Sequence, residues 1–145
     1  MTMKKHSYIA IALAALLTAC GSGSSSSSET KPAATDAPRE LLEELNKAYN
    51  GNAIQAKRTW GGKRLLLGGS FFSAGENTDG TISVLLTTRA PGSVGEFRFD
   101  KRHADFTAKL NKNDAVTAEC VVDPKYDGNS GAQLIDCTPG TVTPA

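Results

Sequence analysis

The stretch Lys57-Arg58-Thr59-Trp60-Gly61-Gly62-Lys63-Arg64 sets four cations around the only tryptophan of the chain. Cations attract phosphates and an indole offers a stacking platform, which is how a groove holds a single nucleic acid strand. Lys57, Arg58, Trp60, Lys63 and Arg64 are therefore the candidate binding residues. The plainer reading is a solvated entry loop with Trp60 packed against a helix. A second cationic cluster follows at Arg98, Lys101, Arg102 and His103. His103 has Asp100 and Asp105 close in sequence. A metal site, however, needs several converging ligands, and a catalytic histidine needs a partner held beside it. Glu76 and Asp79 fall in a glycine-bounded turn with nothing to make them an acid–base pair. No phosphate-loop spacing of glycines occurs.

The cysteines carry the other chemistry. Lys4 and Lys5 precede an uninterrupted apolar run, Ile9 to Leu17, which is too short to span a bilayer. It ends in Leu17-Thr18-Ala19-Cys20-Gly21, which resembles the lipobox of bacterial lipoprotein signal peptides. On that reading residues 1–19 are removed and the Cys20 thiol is acylated. Gly21 stands where an inner-membrane protein of this pathway would carry Asp, so an outer-membrane anchor facing the periplasm is expected. Cys120 and Cys137 remain of the three cysteines, and an oxidising compartment permits a disulfide between them. They lack the spacing of a redox motif, so a structural bond is expected. A hairpin folded at Gly128-Asn129 would set them opposite each other.

Charge narrows the partners. Removing Lys4 and Lys5 leaves 14 Lys+Arg against 15 Asp+Glu, a net charge of −1. A near-neutral chain lacks the broad positive field of a nucleic-acid binder. Anionic lipid phosphates suit the same cations better.

These residues hang on a simple frame. Residues 20–35 are Gly/Ser-rich and read as a tether from lipid to domain. Residues 36–140 form one domain, and 141–145 a frayed tail. Thr35 or Asp36 caps a helix whose Leu41, Leu42, Leu45, Ala48 and Tyr49 form one apolar stripe. Asn50-Gly51-Asn52 is expected to end it. Strands are expected at 63–72, 81–88, 95–99, 115–122 and 132–137, with a short helix at 104–110. Gly68-Gly69 is expected at a bulge in the first strand.

Five strands with a helix between the third and fourth is the order of an OB-fold, a small Greek-key barrel. The fold class is therefore mainly β: a five-stranded, OB-like Greek-key barrel with an N-terminal helix. An open α+β sheet with that helix across one face is the alternative. Ala48-Tyr49-Asn50-Gly51-Asn52, Ala56-Lys57-Arg58 and Trp60-Gly61-Gly62-Lys63 resemble the opening of the tRNA-anticodon-binding-like OB-fold lipoproteins. Leu110 to Thr117 resembles their turn into the fourth strand, with Asn113 in place of the usual Gly. The resemblance implies a barrel and a lipid anchor, and is nearly silent on activity.

The functional expectation is a membrane-anchored envelope module that binds or scaffolds without catalysis or cofactor. Its partner would be an envelope protein, a glycan or an anionic lipid. The alternative is a small inhibitor lipoprotein that inserts Glu76–Gly80 or Lys125–Gly131 into a hydrolase such as lysozyme.

Overall fold

The computed structural model describes residues 36–126, 128 and 131–145. The expected signal segment, the lipidation expected at Cys20 and the expected tether fall on residues outside those described. The elements are α1 (Asp36–Trp60), β1 (Arg64–Glu76), β2 (Ile82–Thr87) and β3 (Val94–Phe99). A 3-10 turn (Lys101–His103) then runs into α2 (Ala104–Thr107), followed by β4 (Ala115–Val122) and β5 (Gln133–Thr143).

Helix α1 buries Leu42, Leu45 and Tyr49 almost completely. Each such side chain contributes about 1.5–3 kcal/mol of apolar burial. The first helical segment does end at Asn50-Gly51-Asn52 as expected, but a second segment starts at once. Asn52 leaves helical geometry (φ −158°, ψ 90°) and its Oδ1 accepts from the Gln55 backbone N–H at 3.0 Å. Asn52 thus breaks one helical segment and caps the next, satisfying a donor that the new segment would otherwise leave free. Lys57, Arg58 and Trp60 consequently ride on a helix, not in an entry loop.

The strands close into a ring in the order β1-β2-β3-β5-β4, which excludes the open sheet among the described residues. All neighbours are antiparallel except β3 and β5. Closure depends on the 13 residues of β1. Its first half, Arg64 to Ser70, pairs with β4, and from Ser70 onward it pairs with β2. The irregularity expected at Gly68-Gly69 lies instead between Phe71 and Ser73. The two glycines serve close approach: a Cβ on Gly69 would meet the Thr87 carbonyl oxygen at 2.6 Å, and one on Gly68 the Val116 carbonyl oxygen at 2.9 Å. The three leucines of β1 do not share one environment, because strand alternation turns Leu67 fully inward and leaves Leu66 half exposed.

Strand β5 continues past Cys137 to Thr143, so the tail expected to fray at 141–145 is largely strand. Val116 faces Val142, Ala115 faces Thr143, and Thr117 Oγ1 accepts from the Thr141 N–H at 2.8 Å. Backbone groups that find ladder partners stay ordered even where the sequence is polar.

Cys120 and Cys137 form a disulfide with their Cα atoms 4.1 Å apart. The register that achieves this is not a uniform hairpin. Val122 faces Leu134 and Val121 faces Ile135; continued, that register would set Cys120 against Asp136 and turn Cys137 outward. Asp136 instead takes φ 50° and adds one residue to β5, so that Glu119 faces Thr138 beyond it. The bulge returns Cys137 to the core, 3% exposed, against fully buried Cys120.

Candidate functional site

The fold keeps Lys63 beside Trp60 but draws Arg64 out of the cationic cluster that the sequence lines up. Trp60, half-buried in the last turn of α1, packs on the core, and Lys63 Nζ lies 5.2 Å from its ring centroid. Lys57 Nζ donates to the Lys125 carbonyl at 3.4 Å across the β4–β5 connection. Arg58 is exposed and makes no side-chain hydrogen bond or ion pair among the described residues. Arg64 is drawn away altogether. As the first residue of β1 it points outward, bonds the Asp136 carboxylate and approaches Glu119 at 3.8 Å. Two carboxylates thereby offset the cation nearest the strand. The indole is committed to packing, so Trp60 offers at most one partly covered face for stacking.

His103 also has a structural setting. Its ring stands edge-on to Phe99 with centroids 6.2 Å apart, and its Nε2 accepts from Arg102 Nε at 3.3 Å. Among the described residues no group of three or more His, Cys, Asp or Glu is placed to hold a metal ion.

A different set of residues converges on the outer face of β1, β2 and β3. Phe97 and Phe99 point into the core, so alternation turns Glu96 and Arg98 outward. Val84 and Leu86 do the same for Ser83 and Leu85 on β2. The register sets Leu85 against Glu96 and Ser83 against Arg98, while Ser73 of β1 faces Leu85. Glu96 Oε1 accepts from Ser83 Oγ at 2.8 Å and from Arg98 Nε at 3.0 Å. The Gln133 amide, brought in by the parallel β5, donates to Glu96 Oε2 at 3.4 Å in one orientation and, turned over, accepts from Arg98 Nε at 3.0 Å instead. Asn77 Nδ2 donates to Ser83 Oγ at 2.8 Å and to Thr81 Oγ1 at 2.9 Å, tying the β1–β2 turn into the network. Ser73, Ala74, Gly75, Glu76, Asn77, Ser83, Leu85 and Glu96 line a groove of about 380 Å³, and Arg98 and Gln133 join it only through their bonds to Glu96.

The groove is lined by two carboxylates, Glu76 and Glu96, of which Glu96 is paired with Arg98. Burial pushes the Glu96 carboxyl up, but the hydrogen bonds from Ser83 and Arg98 and the Arg98 charge outweigh it and hold the group below the usual carboxylate range. At the mouth, the Thr81 hydroxyl and N–H bond Asp79 Oδ1 at 2.6 and 2.9 Å and hold that carboxyl low as well. Gly80 closes this turn at φ 79°, a conformation that favours glycine. The site is thus a set of fixed donors and acceptors with its one internal ion pair already made.

A larger groove, about 570 Å³, runs between α1 and the β2–β3 turn past Glu40, Glu43, Glu44 and Lys47. Its carboxylates are helix-surface groups, and Glu43 is already engaged by the Arg89 N–H at 2.7 Å.

Sequence reasoning passed over Glu96, Ser83, Asn77 and Gln133. The alternation of Glu96-Phe97-Arg98-Phe99 marks one of them, Glu96, as outward-facing. Their meeting with Ser83 and Gln133 depends on strand register, which no local pattern reports.

Two comparisons with known proteins add no identity: no family model matches this chain, and no curated protein matches it.

Proposed function

We propose that the protein is an envelope lipoprotein, anchored through Cys20 at the outer membrane, whose OB-type barrel binds a hydroxyl-rich ligand such as an envelope glycan without catalysis. The observation that carries the reading is the groove on the β1–β2–β3 face whose lining Asn77, Ser83 and Glu96 are already linked by hydrogen bonds, with Glu96 also held by Arg98. Its donors and acceptors are fixed before any ligand arrives, and such preorganisation lowers the ordering cost of binding. Glu96 is already paired with Arg98, and the lining Glu76 adds an acidic side chain, which suits neutral hydroxyls and amides better than a phosphate chain. The strand order, with β1 paired to both β2 and β4, supports the OB-type assignment and the resemblance to the OB lipoproteins. The lipobox-like Leu17-Thr18-Ala19-Cys20 supports the anchor.

The test is a titration of the chain from residue 20 onward with soluble peptidoglycan fragments, followed by amide chemical shifts. Shifts should concentrate on Ser73–Asn77, Ser83 and Glu96–Arg98. E96Q and S83A, both at partly exposed positions, should weaken binding several-fold while leaving the protein folded. Shifts elsewhere, or none, would remove the glycan reading. A hydrolase recovered by crosslinking through the Asn77–Gly80 turn would favour inhibition instead. The anchor is tested separately by palmitate labelling, which a Cys20→Ser variant should abolish.

A further inference from the structure

We infer that Phe72 and Lys112, with Lys109, form a second membrane contact that lays the barrel on an anionic bilayer beside its own anchor. The inference rests on the anchor reading for its geometry.

Phe72 is the extra residue at the β1 irregularity and is 53% exposed, although the residues flanking it are tied down. Phe71 N–H donates to the Asp114 carbonyl at 2.8 Å, and Asn113 N–H donates to the Phe71 carbonyl at 2.9 Å. The aromatic ring is therefore presented on a braced backbone. Lys112 Nζ lies 5.9 Å from the ring centroid, and Lys109 and Lys112 are both exposed on the same α2–β4 connection. An exposed aromatic ring with flanking lysines matches the chemistry of a bilayer interface, where the ring sits at headgroup depth and the ammonium groups meet lipid phosphates. Asp114, the acidic residue of this connection, is 4% exposed; its carboxylate accepts from Asn111 N–H at 2.8 Å and Ala145 N–H at 3.3 Å. It does not present a repelling charge at the surface.

The site of chain entry selects a membrane over other occupants. The described domain begins at Asp36, which pairs with Arg89 just beyond the end of β2. Arg39 Nη2 donates to Ser70 Oγ at 3.1 Å, two residues before Phe72 on the same strand. The domain therefore starts beside the Phe72 surface. Fifteen residues, 21–35, lie between Cys20 and Asp36. Even fully extended they reach at most about 55 Å, and any less extended path holds this face nearer the lipid. A contact too weak to recruit a free protein becomes populated when a tether supplies a high local concentration.

Cys20 is the one cysteine outside the Cys120–Cys137 bond, so it can be coupled to a maleimide phospholipid in preformed vesicles. The chain from residue 20 contains the whole barrel and its core, and this coupling imposes the tether whether or not cells acylate Cys20. The probe is F72W in vesicles of 70% phosphatidylcholine and 30% phosphatidylglycerol, with brominated acyl chains as quencher. The parent protein supplies the Trp60 background. The emission added by F72W should be quenched at least two-fold and blue-shifted, and K109E/K112E in the F72W background should reverse both. A parallel readout needs no change at Phe72: amide exchange at Phe71–Ser73 should slow several-fold on anionic vesicles and not on pure phosphatidylcholine. Unquenched emission with unchanged exchange would overturn the contact. Reversal by K57E/K63E in place of K109E/K112E would overturn it too, because the bilayer would then meet the far end of α1. Neither result would touch the palmitate test of the anchor.

Discussion

Removing the disulfide tests the barrel's closure most directly. Cys120 and Cys137 are 17 positions apart, so the bond closes a short ring across β4 and β5. Loop-closure entropy for a ring of about 18 residues gives about 3 kcal/mol, most of it through restriction of the unfolded chain. Both sulfurs are buried, so C120A/C137A also leaves methyl-sized voids that cost about 1 kcal/mol in total. The unfolding entropy of a domain of about 110 residues is near 0.23 kcal/mol per kelvin, so about 4 kcal/mol lowers the melting temperature by about 15 °C. The assay is calorimetry of C120A/C137A and C120V/C137A beside the parent protein. The valine variant refills most of one void and should recover no more than about 1 kcal/mol. A loss below about 5 °C for the alanine pair would refute the reasoning, since the cross-link would then restrict little. Full recovery by C120V/C137A would refute it differently, by showing that packing and not chain restriction supplies the stability.

Asn46 should prove the most costly polar residue to change. It is 1% exposed, donates to Ser93 Oγ at 3.0 Å and accepts from Ala132 N–H at 2.9 Å, so N46L strands a buried donor and should lose about 2–3 kcal/mol by denaturant unfolding. At Asp136, D136G should keep the bulge while D136V, forced to φ 50°, should lose about 1–2 kcal/mol relative to it in the same assay. Glu96 should set part of the acid limb. Its folded carboxyl lies below the usual range, so its contribution is present above the unfolded value of about 4.3 and is lost as pH falls through the folded one. E96Q should therefore flatten the fall of stability in acid, and an unchanged slope would remove Glu96 from that role.

Local chemistry made the element types legible. Leu42, Leu45 and Tyr49 recur at helical spacing, and Phe97 and Phe99 alternate around Arg98, so burial on one face follows from period alone. The strand at Ala115–Val122 has the expected bounds, because β-branched residues run between turn signals on both sides. Cysteine number and placement likewise pointed to the Cys120–Cys137 bond. Asn50-Gly51-Asn52 marked the helix stop, but not the second helical segment, because a stop and a cap for the next helix use the same residue types. The polar Thr138–Thr143 segment misled because its order comes from ladder bonds to β4 and not from its own side chains.

The candidate site was settled elsewhere. Proximity along the chain made Lys57 to Arg64 a cluster, yet the turn after α1 and the outward direction of β1 send Arg64 to Asp136 and Glu119. Glu96, Ser83, Asn77 and Gln133 lie far apart in sequence and meet only through the β2–β3 register and the parallel pairing of β5. Sequence by itself determines period, propensity and inventory, since these act over a few residues. Register, bulges and closure are collective, because one inserted residue such as Asp136 reverses every side chain beyond it; only the folded barrel decides which groups share a face.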